Sequence, residues 1–369
     1  MTAPRLEIDL DKIHHNASEL VQRLAARGIR VTGVTKAALG SPSIARTMLR
    51  AGVDALGDSR LSNLARMRGQ RHATRTVLMR SPMQSQVASV VTLADTSMNT
   101  ELAVIRQLSY AAGRAGVVHG ILLMVELGDL REGILPADVL RMVGDAVGLP
   151  NLVLRGIGTN LACRHGVVPD PANMAQLSDL ADSIDVRFGL ALETVSGGNS
   201  ANLAWALADT AIGRINDLRL GEAILLGRDP LDRSALPGLY TDAIRLVAEV
   251  IESKTKPARP FGRRAESAFG PPPPSETTVA NARGLIQQAI LAVGRQDIDP
   301  EGLRAPAGVR ILGSSSDHLV VDCGEIPLTV GAEVCFDLNY SCLLRAMTSP
   351  FVSKVRTARC RTGRATEAT

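Results

Sequence analysis

Val31-Thr32-Gly33-Val34-Thr35-Lys36 is a short apolar run closed by a lysine, one of only five lysines in a chain whose 41 basic residues are otherwise arginine. A run of this kind reads as a buried strand, and the lysine falls where the strand meets its loop. A lysine desolvated there has a more nucleophilic amine and can hold an aldehyde or other carbonyl as a Schiff base. Taken alone, a strand-end lysine is more often simply solvated, its stem on apolar surface and its ammonium in water. The surrounding pattern decides between the two.

Apolar runs recur near 31–35, 53–56, 76–79, 91–94, 121–125, 153–157, 192–195 and 218–220, separated by segments long enough for a helix. Eight strand–helix alternations predict a closed parallel (β/α)8 barrel of the TIM type rather than an open doubly wound sheet, although about 190 residues is slightly short for one. Polar groups follow the predicted strands: Lys36, Gly57-Asp58-Ser59-Arg60, Arg131, Gly158-Thr159-Asn160, Ser196-Gly197-Gly198-Asn199-Ser200 and Arg219-Leu220-Gly221. In a barrel these loops converge on the C-terminal face and surround one pocket.

Before the barrel, Leu6, Ile8 and Leu10 alternate with Glu7 and Asp9 as a strand, and a helix capped near Asp11 runs to Gly28 with Ile13, Ala17, Leu20 and Leu24 on one face. After about residue 230 prolines break the helical pattern and strand-like runs appear at 288–293, 309–312, 318–322 and 333–338. The expected organisation is a barrel over 11–230 and a mostly β domain over 231–369, joined by the N-terminal strand 5–10. Segment 243–252 fits both helix and strand periods. Pro271-Pro272-Pro273-Pro274 reads as a surface loop.

With 45% hydrophobic and 21% charged residues, 369 residues bury full cores in two domains, and disorder is not expected. No apolar run approaches the ~20 residues needed to span a bilayer and no signal segment opens the chain, so a cytoplasmic protein without membrane contact is expected. Five cysteines without a C-x-x-C pair suggest neither a disulfide framework nor a zinc site, and they read as reduced packing residues. The net charge of +4 owes much to Lys354, Arg356, Arg359, Arg361 and Arg364. With 2% aromatic residues no stacking platform accompanies that tail, which reads as a frayed, solvated terminus rather than a nucleic-acid site.

Ser196-Gly197-Gly198-Asn199-Ser200 has the chemistry of an anion cradle, with glycines admitting close backbone approach and hydroxyls adding donors. Such a loop is also an ordinary turn. Arg219-Leu220-Gly221-Glu222 places a second glycine turn at the eighth strand, where barrel phosphate sites are common. Arg131 lies in a charged loop and also reads as a surface ion pair with Asp129 or Glu132. No metal-binding spacing, P-loop or dinucleotide fingerprint is present, and Cys163-x-His165 reads as incidental.

The opening Leu6-Glu7-Ile8-Asp9-Leu10-Asp11-Lys12-Ile13-His14-His15-Asn16 and the strand ending at Lys36 resemble the start of alanine racemases, fold type III pyridoxal 5'-phosphate enzymes. Gly57-Asp58-Ser59-Arg60, Gly158 to Cys163, Ser196 to Leu203, Leu218 to Ala223, Ala292 to Asp297 and Gly313 to His318 are similar to the ornithine racemase branch. The resemblance implies a Schiff base and α-carbon acid–base chemistry at Lys36. It puts Arg219 against the pyridine nitrogen, Arg131 near the phenolic oxygen and Asn160 against the ring. Ser200 and the backbone N–H groups of Gly221 and Glu222 would hold the phosphate.

Three positions depart from the alanine racemase pattern. The Tyr-Gly pair that supplies the second base corresponds to Phe269-Gly270, and a phenyl ring cannot move a proton. His318 is the first candidate to replace it, since imidazole suits proton transfer near neutrality. Met124 stands where many relatives place a carbamylated lysine, and Asn160 where they place a histidine. The resemblance then implies a homodimeric racemase of a free basic amino acid such as ornithine. An unpaired buried ammonium is costly, so Asp58, Asp297 or Asp317 would receive the distal charge. The alternatives are an alanine/serine-type or broad-specificity racemase, a PLP-binding homeostasis protein without racemase activity, and a barrel enzyme of phosphate-bearing substrates without the cofactor.

Overall fold

The computed structural model describes residues 2–68, 74–263, 265–266, 268–270, 284–360 and 363–368. Strand β1 (Arg5–Asp9) leads directly into the helix Leu10–Ala25, whose buried Ile13, Ala17, Leu20 and Leu24 are the expected face. Gly28 then takes φ +72°, a left-handed turn that reverses the chain into the first barrel strand.

Eight strands close a parallel barrel: β2 (Arg30–Val34), β3 (Ala55–Asp58), β4 (Arg75–Leu78), β5 (Thr96–Asn99), β6 (His119–Val125), β7 (Leu152–Thr159), β8 (Thr194–Ser196) and β9 (Asp217–Leu220). Closure is direct, with Thr32 of β2 in register with Arg219 of β9. All seven residues of β6 are buried, as a strand covered on both faces requires.

One expected strand was misplaced. Residues 91–94 end the helix Val87–Leu93, and the fourth barrel strand is Thr96–Asn99. That strand hides from an apolar search because two of its buried residues are polar. Ser97 and Asn99 are fully buried, and Asn99 Nδ2 donates to Ser97 O and Oγ.

The chain divides into two compact units, Leu10–Thr241 and Met1–Asp9 with Asp242–Thr369. The barrel unit therefore runs past the expected limit at 230. Asn16 holds the extra segment, its Nδ2 donating to Tyr240 O at 2.9 Å and its Oδ1 accepting from Tyr240 N at 2.8 Å. Asn16 itself is fully buried, so leaving its amide without these partners is costly.

The second unit is a nine-stranded sheet. Its remaining strands are β10 (Ile244–Pro257), β11 (Leu285–Leu291), β12 (Leu303–Arg304), β13 (Arg310–Ser314), β14 (Leu319–Asp322), β15 (Glu333–Leu338), β16 (Ser353–Cys360) and β17 (Gly363–Ala368). The ambiguous 243–252 segment is strand, paired with β1, β11 and β15. The C-terminus is not frayed: β16 pairs in parallel with β1, and β17 turns back on β16. The run Pro271–Pro274 lies outside the described residues. No helix among the described residues is long and apolar enough to cross a membrane.

Candidate active site

Lys36 opens a short 3-10 turn just past β2 and is half-buried. Burial is the main cause that lowers its proton affinity below the ordinary 10.5. The cationic fields of Arg131 and Arg219 add to this, against those of Cys163 and Asp58. A lysine so placed spends more of its time as the free, nucleophilic amine.

Arg219 points into the barrel from β9 and is 5% exposed. Nη1 donates to Ser196 Oγ at 2.5 Å, and Nη2 to Thr159 O at 2.6 Å and, weakly, to Asn160 Oδ1 at 3.5 Å. Burial lowers its pKa to about 10, with Asp217 opposing, so it is cationic at neutral pH. Asn160 Oδ1 also accepts from Asn199 Nδ2 at 3.2 Å, while its own Nδ2 is buried with no acceptor. Such an orphaned donor points to a group that the described residues do not supply.

The two glycine loops meet. Ser200 Oγ accepts from Ala223 N at 3.2 Å, joining the loop after β8 to the turn Gly221–Ala223 after β9. Gly198 holds φ +145°, and a Cβ there would run into Asn202 Oδ1. Asn202 Oδ1 accepts from Asn199 N at 3.0 Å, so a side chain at 198 would break the cradle's own cap. The carboxylate of Glu222 pairs with Arg233 at 2.6 Å, and burial raises its pKa.

Arg131 donates to Glu132, its ion-pair partner, and through Nη1 to Cys163 Sγ. Asp129 is not the surface partner of Arg131. It is fully buried and accepts from the backbone N–H of Arg164 at 2.8 Å, His165 at 3.1 Å and Cys163 at 3.2 Å. Burial raises its pKa, but these bonds outweigh burial and leave the net shift downward. Cys163 is exposed beside Arg131 rather than packed in a core. Its place in Gly158–Cys163, three residues after Asn160, is the available signal.

Asp58 is fully buried and already occupied. It accepts from Thr35 Oγ1 at 2.8 Å, Arg60 N at 2.9 Å and Asn63 Nδ2 at 3.0 Å. That makes it a clamp on the residue before Lys36 rather than a receptor for an ammonium. His318, Asp297 and Asp317 belong to the other unit. There Gln296 donates to Asp317 at 2.7 Å, Ser349 to Asp297 at 2.7 Å, and Ser315 Oγ lies 3.4 Å from His318 Nδ1. Arg295 sits 5.2 Å from the centroid of Phe269. Among the described residues no group of His, Cys, Asp and Glu could hold a metal.

An amine of lowered basicity, two guanidiniums, an orphaned amide donor and a serine-glycine cradle suit a small anionic carbonyl compound bearing a phosphate ester. Residues 8–229 match the model of the alanine racemase N-terminal domain. Over 96% of the chain and 99% of the relative, the sequence is 38% identical to a lysine racemase of Thermotoga maritima. It is 35% identical to an ornithine racemase of Acetoanaerobium sticklandii, over 95% and 99%. The fold superposes on alanine racemase of Clostridium difficile 630 with a TM-score of 0.75 at 17% identity, over 100% of this chain and 99% of that one. The chain belongs to the alanine racemase family of amino-acid isomerases.

Proposed function

We propose that the barrel mouth holds pyridoxal 5'-phosphate on Lys36 and that the protein racemises a free basic amino acid, lysine or ornithine. The observation that carries this reading is Lys36, a half-buried amine at the end of β2 whose basicity is lowered by burial and by the fields of Arg131 and Arg219. When bound, the cofactor supplies the aldehyde that captures an amino group and the ring system that makes an α-hydrogen acidic.

Lys36 would hold the cofactor through Nζ, with water leaving, and once a substrate amine takes that place the freed Nζ would move the α-proton on one face. Arg219, whose guanidinium can only donate, would keep a ring nitrogen that faced it unprotonated and so would favour proton return to the α-carbon. Asn160 Nδ2 would donate to the cofactor, Arg131 would serve its phenolic oxygen, and Ser200 with the N–H groups of Gly221 and Glu222 would hold the phosphate. We assign the opposite proton transfer to His318 on its imidazole chemistry.

Basic substrates are favoured because the relatives at 38% and 35% identity are named for lysine and ornithine, both of which carry a distal ammonium. Asp297 and Asp317 are the acids assigned to receive it, since the Asp58 carboxylate already takes three donors. A homodimer is part of the proposal, and a monomer with full activity at working concentration contradicts it.

Borohydride reduction of the yellow protein should leave a pyridoxyl group that maps to Lys36. Label on another lysine overturns the assignment. Chiral chromatography of lysine, ornithine, arginine, alanine and serine incubated with the enzyme then tests substrate. Faster racemisation of alanine or serine refutes the basic-substrate reading and leaves the cofactor assignment intact.

A further inference from the structure

The three acceptors that Arg219 meets, Ser196 Oγ, Thr159 O and Asn160 Oδ1, are all neutral, although the guanidinium is 5% exposed. A buried cation without a counter-charge is costly. The negative charge lies one layer lower in the barrel. Asp217 precedes Arg219 by two residues on β9, and the period of a strand turns both side chains to the same face. It is 6% exposed and accepts from Ser196 Oγ through Oδ2 and from Thr32 Oγ1 through Oδ1 at 2.8 Å.

Ser196 therefore spends its one hydroxyl hydrogen on Asp217 and turns its lone pairs to Arg219. A hydroxyl polarised by a carboxylate is a stronger acceptor than a free one, so the chain Asp217, Ser196, Arg219 transmits charge as well as direction. A cavity of about 120 Å³, lined among others by Thr32, Asp217 and Arg219, opens toward the N-terminal ends of the strands. The guanidinium thus lies between this cavity below and the candidate site above, and packing alone does not dictate which way it points.

We propose that Asp217 is the positioning residue of Arg219, acting through the Ser196 hydroxyl to hold the guanidinium aimed at the barrel's C-terminal mouth. The role at the mouth rests on the reading that Arg219 faces the cofactor's ring nitrogen. The buried pair itself does not depend on it.

Two measurements separate these layers. The first is a double-variant cycle in urea on the cofactor-free protein, using Asp217→Asn, Arg219→Met and both together. A buried charge pair predicts that the double variant is about tenfold more stable, in the unfolding constant, than the sum of the single effects requires. Ser196→Ala should reduce that coupling and Thr32→Val, which removes only the other bond of Asp217, should preserve it. The second is the visible spectrum of protein reconstituted with pyridoxal 5'-phosphate. The band should shift in the same direction in Asp217→Asn and Ser196→Ala and stay in place in Thr32→Val, and Ser196→Thr should restore it. Additive energies in the cycle overturn the proposal, as does a Thr32→Val band shift equal to that of Ser196→Ala. A parent protein that stays colourless with a coupled cycle would sink the cofactor reading and leave the Asp217–Arg219 pair standing.

Discussion

Asp129→Asn tests whether a single buried carboxylate sets the loop beside the candidate site. In the parent protein Oδ2 accepts from Arg164 N at 2.8 Å and Cys163 N at 3.2 Å, and Oδ1 from His165 N at 3.1 Å. An amide keeps one acceptor oxygen and presents an NH2 group to the remaining N–H donors, so one side of this cage is lost. Bonds to a charged acceptor contribute about 1.5–3 kcal/mol each, and exposure of residues 163–166 lets water recover part of it. The expected loss is about 2–3 kcal/mol, or roughly 5–10 °C in Tm for a unit of this size. The pH dependence has a definite sign. The folded pKa of Asp129 lies below its ordinary 3.8, so its stabilisation is complete above that value and is lost as pH falls through the folded pKa. Urea denaturation across the acid range should show this slope in the parent and not in the variant. The reasoning fails if the variant melts within about 1 °C of the parent and keeps the same acid limb.

Three further outcomes are expected. Gly198→Ala forces a side chain into φ +145° and onto Asn202 Oδ1, costing about 1–3 kcal/mol and weakening pyridoxal 5'-phosphate binding in an absorbance titration; unchanged affinity would show that the cradle is only a turn. His119 is 1% exposed and burial lowers its pKa from 6.5 to about 4. Between those values the unfolded chain holds a proton that the folded one lacks, so stability falls with falling pH by at most about 3 kcal/mol, and His119→Gln should remove that slope in urea titrations. His318→Gln should abolish α-deuterium exchange from D2O into one enantiomer of the substrate while sparing the other, and equal loss for both would count against it as the second proton-transfer group.

The barrel was legible because its evidence is periodic and local. Apolar runs separated by helix-length segments mark eight strand–helix units, and strand ends locate Lys36, Arg131, Asn160 and Ser200 on loops and Arg219 near the end of β9. Reading failed where burial and apolarity part company. Thr96-Ser97-Met98-Asn99 is a barrel strand with buried polar residues, Asn99 Nδ2 bonding to Ser97 and Ser97 Oγ lying 2.8 Å from His119 Nε2, and the more apolar end of the neighbouring helix mimics a strand instead.

Residue identity by itself singled out the candidates for chemistry: the rare lysine, the glycine loop, the arginine on the eighth barrel strand, and the phenylalanine in place of a tyrosine. Only the tertiary structure decided what those side chains touch. Asp58 was a candidate for substrate until Thr35, Arg60 and Asn63 were seen to fill its oxygens. Asp129 passed for a surface ion-pair partner, and Asp217 and Ser196 drew no notice as a pair, because their partners lie 34 to 36 and 21 positions away in the chain. The C-terminal strand looked like a solvated tail because its pairing with β1 spans nearly the whole sequence. Periodicity reports which face of an element is buried, whereas hydrogen-bond partners brought together by chain closure leave no local trace in the residues that make them.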